Sequence, residues 1–244
     1  MTPTAGDVKA ALAEVSDPAD AIHLQRFFKT GPEEYGEGDA FLGVRVPATR
    51  RAAKQFSDLA LGDVDALLDS GIHEHRLCAL LILNAQYSAA SEPNATDVDR
   101  QQTIVELYIA AVRRGRVNNW DLVDASAANV VGPWLYDKSR DLLVELADSE
   151  SVWERRVALL STFAFIKRGD PSTTLELAAR LLADRADLIQ KAVGWMLREV
   201  GKRVDRAVLI KFLDQHAAAM GRTALSYASE HLEPFERTRY RAMR

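Results

Sequence analysis

An all-α, helical-repeat fold is what this sequence predicts, on three observations. Apolar residues recur at i, i+3, i+4 spacing along most of the 244 residues. The apolar content is carried by Ala, Leu and Val, with aromatics at only 7%, which favours helices over strands. Basic residues return at matching places near the starts of the apolar segments.

The segments follow one another with breakers between them. Asp17-Pro18 and Thr30-Gly31-Pro32 punctuate the N-terminal region. Phe41–Val46 is the one β-looking run, short enough to be a loop or the approach to a helix. Val64–Leu68, Leu77–Leu83 and Thr103–Val112 are helix-periodic, separated by Ser70-Gly71 and by Ser91-Glu92-Pro93-Asn94. Gly132-Pro133 reads as the next break, followed by Asp141–Leu146 and Val157–Phe165. After Gly169-Asp170-Pro171 come Leu175–Leu182, Ala192–Val200 and Val208–Leu213. The simplest partition is a single domain over residues 1–244, with Ser88–Asp99 as a long loop inside it.

Arg76, Arg116, Arg156, Lys191 and Arg222 are spaced by 40, 40, 35 and 31 residues. A period near 40 built from helix pairs is the signature of a HEAT-like solenoid. Stacked pairs make a curved array, and equivalent positions line its concave face. The five basic residues are then expected to form a positive stripe there. Helix-initiating Arg and Lys are also common without any such role.

The net charge is -4, but it is uneven: -7 over residues 1–100, -1 over 101–197 and +4 over 198–244. A polyanion is therefore compatible with a local basic face, not with the surface as a whole. The single cysteine, Cys78, forms no intramolecular disulfide and belongs to no Cys cluster for a metal. No stretch approaches the roughly 18 apolar residues of a membrane span. The N-terminus has no secretory pattern, so a cytoplasmic location is expected. His73-Glu-His75 lacks metalloprotease spacing, and phosphate-binding Gly-rich loops and G-x-S-x-G elbows are absent.

Three segments hold residues suited to chemistry. Trp120 and Asp124 are four apart and share a helix face, placing an aromatic plate beside a carboxylate. That pair suits a cationic planar group; equally, Trp120 can pack in a core while Asp124 faces solvent. Asp121, one step round, fits a helix cap. Arg155 and Arg156 point in different directions on a helix, so one turns inward or towards a groove, with surface pairing to Glu154 or Asp148 as the plain reading. Lys191 and Trp195 share a face, and Gly194 thins the helix there, where another backbone can approach.

Together, Asn119-Trp-Asp-Leu-Val-Asp124, Trp153-Glu-Arg-Arg-Val-Ala158 and Ile189-Gln-Lys-Ala-Val-Gly-Trp-Met-Leu-Arg-Glu199 resemble the AlkD-like DNA alkylation-repair glycosylases. Phe41-Leu-Gly-Val-Arg-Val-Pro-Ala-Thr-Arg50 is similar to that family's N-terminal signature. The resemblance implies HEAT-like repeats with a concave DNA-binding groove. It also implies hydrolysis of the N-glycosidic bond of cationic alkylpurines, such as 7-methylguanine and 3-methyladenine, in duplex DNA. Asp124 is then the catalytic carboxylate, Trp120 and Trp195 flank the lesion's deoxyribose, and Arg156 holds lesion-side phosphates. Lys191, Arg222, Arg76 and Arg116 complete the expected DNA-binding set. Asn119 stands where the family often has a second aromatic, which implies a reduced aromatic lining. Neither metal nor organic cofactor is expected, and a monomer is. The alternatives are a non-catalytic module for damaged or branched DNA and a protein-binding solenoid scaffold.

Overall fold

In a computed structural model that describes residues 2–243, the chain forms fifteen helices. Among the described residues there is no strand, only an isolated parallel bridge between Ala40 and Ile72. The chain divides into two compact units, Met1–Val130 and Val131–Arg244. Among the described residues, no helix is long and apolar enough to cross a membrane.

The first unit holds α1 (Ala5–Ala13), α2 (Pro18–Phe27), α3 (Val46–Gln55), α4 (Leu61–Leu68), α5 (His73–Ala90) and α6 (Val98–Arg113). It also holds most of α7 (Trp120–Leu135). The long α5 is its axis. It packs against α3, α4 and α6 and buries Leu77, Leu80, Ile82 and Leu83. Val64, Leu67 and Leu68 of α4 and Ile104 and Tyr108 of α6 complete the core. Asp17 caps α2 through the amide of Ala19, with Pro18 at the first helical position, as the Asp-Pro pair predicts.

Phe41–Val46 is a loop that leads into α3. Glu74 draws it against α5 by accepting hydrogen bonds from the amides of Leu42, Gly43 and Val44 at 2.9–3.1 Å. Gly43 has φ +83°, and a Cβ there would stand 1.9 Å from the carbonyl oxygen of Asp17, so no other residue fits.

The second unit holds α8 (Asp141–Ala147), α9 (Val152–Ser161), α10 (Phe163–Ile166), α11 (Ser172–Arg180) and α12 (Asp187–Arg203). It ends with α13 (Arg206–His216), α14 (Arg222–Ala228) and α15 (Pro234–Ala242). Here α12 is the axis, packed on α9, α11, α13 and α14 around Ile189, Met196 and Leu197. At Gly194 a Cβ would lie 2.4 Å from the carbonyl oxygen of Ala224. The backbone that approaches this glycine is therefore that of α14.

Three boundaries differ from the sequence reading, the first being the Ser88–Asp99 loop, which shortens to Ser91–Asp97 because α5 runs on to Ala90 and α6 starts at Val98. Gly132-Pro133 does not end α7, which runs on to Leu135. Pro133 lies in the last turn and removes one bond, at the carbonyl of the exposed Asn129, where water can take its place. Conversely, Val157–Phe165 is two helices. Ser161 Oγ and Thr162 Oγ1 donate to the carbonyls of Val157 and Leu159 at 2.7 Å each, and side-chain bonds of this kind compete with the helical ladder.

Candidate active site around Trp120 and Asp124

Trp120 opens α7, and Asp124 follows one turn later; both are half-buried. The residue that caps this helix is Asn119, not Asp121. Its side-chain oxygen accepts from the Trp120 amide at 2.9 Å, and its backbone carbonyl accepts from Val123 at 3.2 Å. Its Nδ2 donates to Asp39 at 3.2 Å, and Asn119 is fully buried.

Asp121 points the other way, into a charged cluster. His73 Nε2 lies 2.9 Å from Asp121 Oδ2, and His73 Nδ1 lies 3.0 Å from Asp39 Oδ2. Arg76 Nη2 donates to Asp39 Oδ1 at 2.5 Å, and Asn118 Nδ2 to the same oxygen at 3.4 Å. Burial opposes charge on His73, but the carboxylates of Asp121 and Asp39 outweigh it and push its pKa up to about 9. Burial would likewise raise Asp39, yet the His73 hydrogen bond, the Arg76 charge and Asn119 hold it below the usual carboxylate range. Two residues further along α5, His75 shows the opposite balance: burial, with Lys9 and Arg76 nearby, brings it down to about 4.

Further along α7, Asn84 of α5 donates to the carbonyl of Ala125 at 2.8 Å. The Tyr108 hydroxyl of α6 meets Ser126 Oγ at 3.0 Å. Tyr108 is wholly buried, and burial first, then the Asp124 charge, hold its phenol well above the ordinary value.

The indole of Trp120 is built into an aromatic stack. Phe28 stacks on it with centroids 5.4 Å apart, and Phe27 meets its edge at 6.0 Å. Phe41 stacks on Phe28 at 5.2 Å and on His73 at 4.6 Å. Phe27 is 56% exposed, so the stack reaches solvent beside Trp120. The aromatic companions of Trp120 thus come from α2 and the loops that follow it. Asn119 does not take that part.

In the second unit, Trp195 is half-buried with its ring 6.4 Å from that of Phe163. Lys167 and Arg203 lie over Phe163 at 4.6 and 5.2 Å, and Arg168 lies over Tyr136 at 4.1 Å. Lys167 and Arg168 are exposed. This cluster combines cations with flat rings, a combination suited to a sugar–phosphate backbone.

The five spaced basic residues do not form five open charges. Arg76 is 3% exposed and Arg156 4%. Arg76, Arg156 and Arg222 each donate an Nη1 hydrogen bond to a backbone carbonyl, of Ser70, Leu188 and Arg241. Their recurrence near helix starts therefore has a structural cause, a guanidinium pinning an adjoining segment. Arg116 reaches Asp69 at 3.3 Å, and Lys191 pairs with Asp187 at 2.7 Å, both partly open to solvent. Arg155 is held by Asp184 at 2.8 Å and by the carbonyls of Ser149 and Glu150, not by Glu154 or Asp148. Burial pushes the Cys78 thiol up to about 12, which leaves it a small core residue.

Sequence reasoning missed Asp39, His73, Phe28 and Phe41. The run His73-Glu-His-Arg76 was a usable signal, since four ionisable side chains leading into the apolar stretch Leu77–Leu83 require partners if the helix start is buried. Among the described residues, no group of three or more His, Cys, Asp or Glu is placed to hold a metal ion.

A search of curated proteins finds no match to this chain. A solved structure described as a predicted DNA alkylation repair enzyme from Enterococcus faecalis shares the fold, with a TM-score of 0.68 and 18% sequence identity. The match covers 90% of this chain and 97% of that one. The model of the family described as DNA alkylation repair enzyme matches residues 8–232, nearly the whole sequence that carries Trp120, Asp124 and Trp195, and the chain belongs to that family.

Proposed function

We propose that the protein is a DNA glycosylase that hydrolyses the N-glycosidic bond of cationic alkylated purines, 7-methylguanine and 3-methyladenine, in duplex DNA. The observation that carries this reading is the pair of half-buried side chains one turn apart on α7, the Trp120 indole and the Asp124 carboxylate. An alkylated ring nitrogen makes the base cationic and a good leaving group. As the bond from C1′ to the base nitrogen breaks, its electron pair neutralises the base, and the sugar takes on oxocarbenium character. A carboxylate stabilises that charge and orients the water that attacks C1′, and a proton is released as the new hydroxyl forms. An indole face beside the sugar adds cation–π attraction.

Because Arg76 and Arg156 are buried, the backbone contacts in this reading fall to exposed or half-exposed cations. These are Arg116, Lys191 and Arg222, with Lys167 and Arg168 beside Phe163 and Tyr136. Trp195 offers a second flat ring to the sugar–phosphate chain. The same reading makes the protein a cytoplasmic monomer that needs no cofactor.

The test is to incubate the purified protein with methylated duplex DNA and analyse the free bases, with binding followed across a salt series. Release of methylated purines, with affinity falling steeply as salt rises, is the expected result. Salt-sensitive binding without base release would assign the protein to non-catalytic DNA binding. Affinity that ignores salt would remove DNA as the partner and leave a protein scaffold.

A further inference from the structure

Trp120 and Asp124 can serve excision only if the start of α7 is held in place, and the holding device is ionic. Asn119 and Asp121, on either side of Trp120, are both tied to one buried unit. Asn119 donates to Asp39 at 3.2 Å, Asp39 meets His73 at 3.0 Å, and His73 meets Asp121 at 2.9 Å. The side chains of His73 and Asp39 are 2% and 3% exposed, and that of Asp121 15%. We propose that His73 is a positioning residue for the excision reaction: clamped as an imidazolium between Asp39 and Asp121, it fixes the first turn of α7 and with it Trp120 and Asp124. The inference rests on the glycosylase reading for its effect on rate, though not for the clamp itself.

Three features support it. Two carboxylates facing the two ring nitrogens each require an N–H, and only the protonated imidazole has two. The cluster balances in charge, with Asp39 and Asp121 against His73 and Arg76. Asp121 Oδ1 is buried and takes no hydrogen bond from the protein, so this carboxylate depends on His73.

The groups that face His73 from the surrounding elements are Asp39 from the preceding loop, Asp121 from α7, and the uncharged rings of Phe28 and Phe41. On its own helix, Arg76 acts through Asp39, and Glu74 is engaged by the loop amides of Leu42–Val44. The pKa of about 9 keeps the clamp closed through neutral pH. Once the proton is lost, one carboxylate faces a ring lone pair and the clamp opens.

The experiment uses the intact protein with Asp121→Asn, which keeps the shape and an accepting oxygen but removes the charge. Two quantities are followed from pH 6 to 10. One is single-turnover release of 3-methyladenine, a lesion with no N1 proton to lose, with DNA affinity measured in parallel. The other, without DNA, is the titration of the His73 ring nitrogens by NMR, the resonances being those missing from His73→Gln. Wild type should hold His73 protonated at pH 7 and lose excision as pH rises through about 9. Asp121→Asn should move both transitions down by about one pH unit or more and slow excision at pH 7 on the order of 10-fold, the scale for small misplacement of reacting groups. DNA affinity should stay within about threefold of wild type.

A neutral His73 at pH 7 in wild type, or alkaline limbs that superimpose in the two proteins, would overturn the clamp. If wild type released no base, the glycosylase reading would fail, and the NMR arm would still decide the clamp. If Asp121→Asn did not fold, the wild-type titration alone would decide it, by whether His73 stays charged to about pH 9.

Discussion

Phe28 lies stacked on Trp120, with ring centroids 5.4 Å apart and planes inclined by 25°. Phe28 is 7% exposed and touches Phe41 and His73 as well, so the indole rests on a ring that the core already holds. Offset aromatic pairs of this kind add about 0.5–1.5 kcal/mol beyond their buried area.

Replacing Phe28 by Ala removes the support from under the indole. A buried Phe→Ala change costs about 3–5 kcal/mol, so the melting temperature should fall clearly. Excision per folded molecule should fall as well, on the order of 10- to 100-fold, because Trp120 loses its fixed orientation. Phe27→Ala, at an exposed ring, should leave stability within about 0.5 kcal/mol, the range for surface substitutions. Thermal melts with single-turnover assays separate the two. Equal melting temperatures for Phe28→Ala and wild type would show that the stack bears no load.

Burial sets the expectation for the paired arginines. Arg156→Ala removes a guanidinium that is 4% exposed and the hydrogen bond that its Nη1 donates to the Leu188 carbonyl. Arg155→Ala releases Asp184 and the carbonyls of Ser149 and Glu150. Each should cost on the order of 1–3 kcal/mol in urea unfolding. The exposed Lys167 and Arg168 should behave in the opposite way. Their alanine variants should melt like wild type, bind duplex DNA more weakly and show a shallower salt dependence, by about one unit of slope per lost phosphate contact. An unchanged slope would take the Phe163–Tyr136 cluster out of the DNA contact.

His73 makes stability depend on pH in a definite direction. Its folded pKa is raised from 6.5 to about 9. The added stability is fully present below about 6.5 and is lost as pH rises through about 9. At roughly 1.4 kcal/mol per pKa unit, the effect is on the order of 3 kcal/mol. Urea midpoints for wild type and His73→Gln should therefore differ most below about pH 6.5, narrow through neutral pH and converge by about pH 10. A constant gap over the whole range would show that His73 stabilises by packing alone.

The helices were legible in the sequence because their periodicity records which face is buried. Leu77–Leu83 and Ala192–Val200 fall inside the two central helices for that reason. The pair Trp120 and Asp124 was legible because a spacing of four survives any change of surroundings. Partners brought from far along the chain were not. Asp39, His73 and Asn119 lie 34 to 80 residues from their mates, and no local pattern marks such a meeting. The same blindness made Arg76 and Arg156 look like members of an open basic stripe. Spacing reports that a position repeats, while burial decides whether its charge meets a backbone carbonyl or a phosphate.

Asp124→Asn tests the proposed chemistry most directly. It preserves size and removes the charge opposite which the oxocarbenium-like sugar would form. The excision rate should fall about 10- to 1,000-fold, the range for loss of one preorganised electrostatic group. Affinity for duplex DNA should hold or tighten, since a negative charge near phosphates is gone. Asp121→Asn cannot serve as an inert control, because it disturbs the bond to His73. The exposed Asp137, beyond the end of α7, suits that purpose, and Asp137→Asn should excise as wild type does. The measurement is single-turnover release of 7-methylguanine, with circular dichroism to confirm folding. A folded Asp124→Asn protein that excises at the wild-type rate would remove this carboxylate from the mechanism.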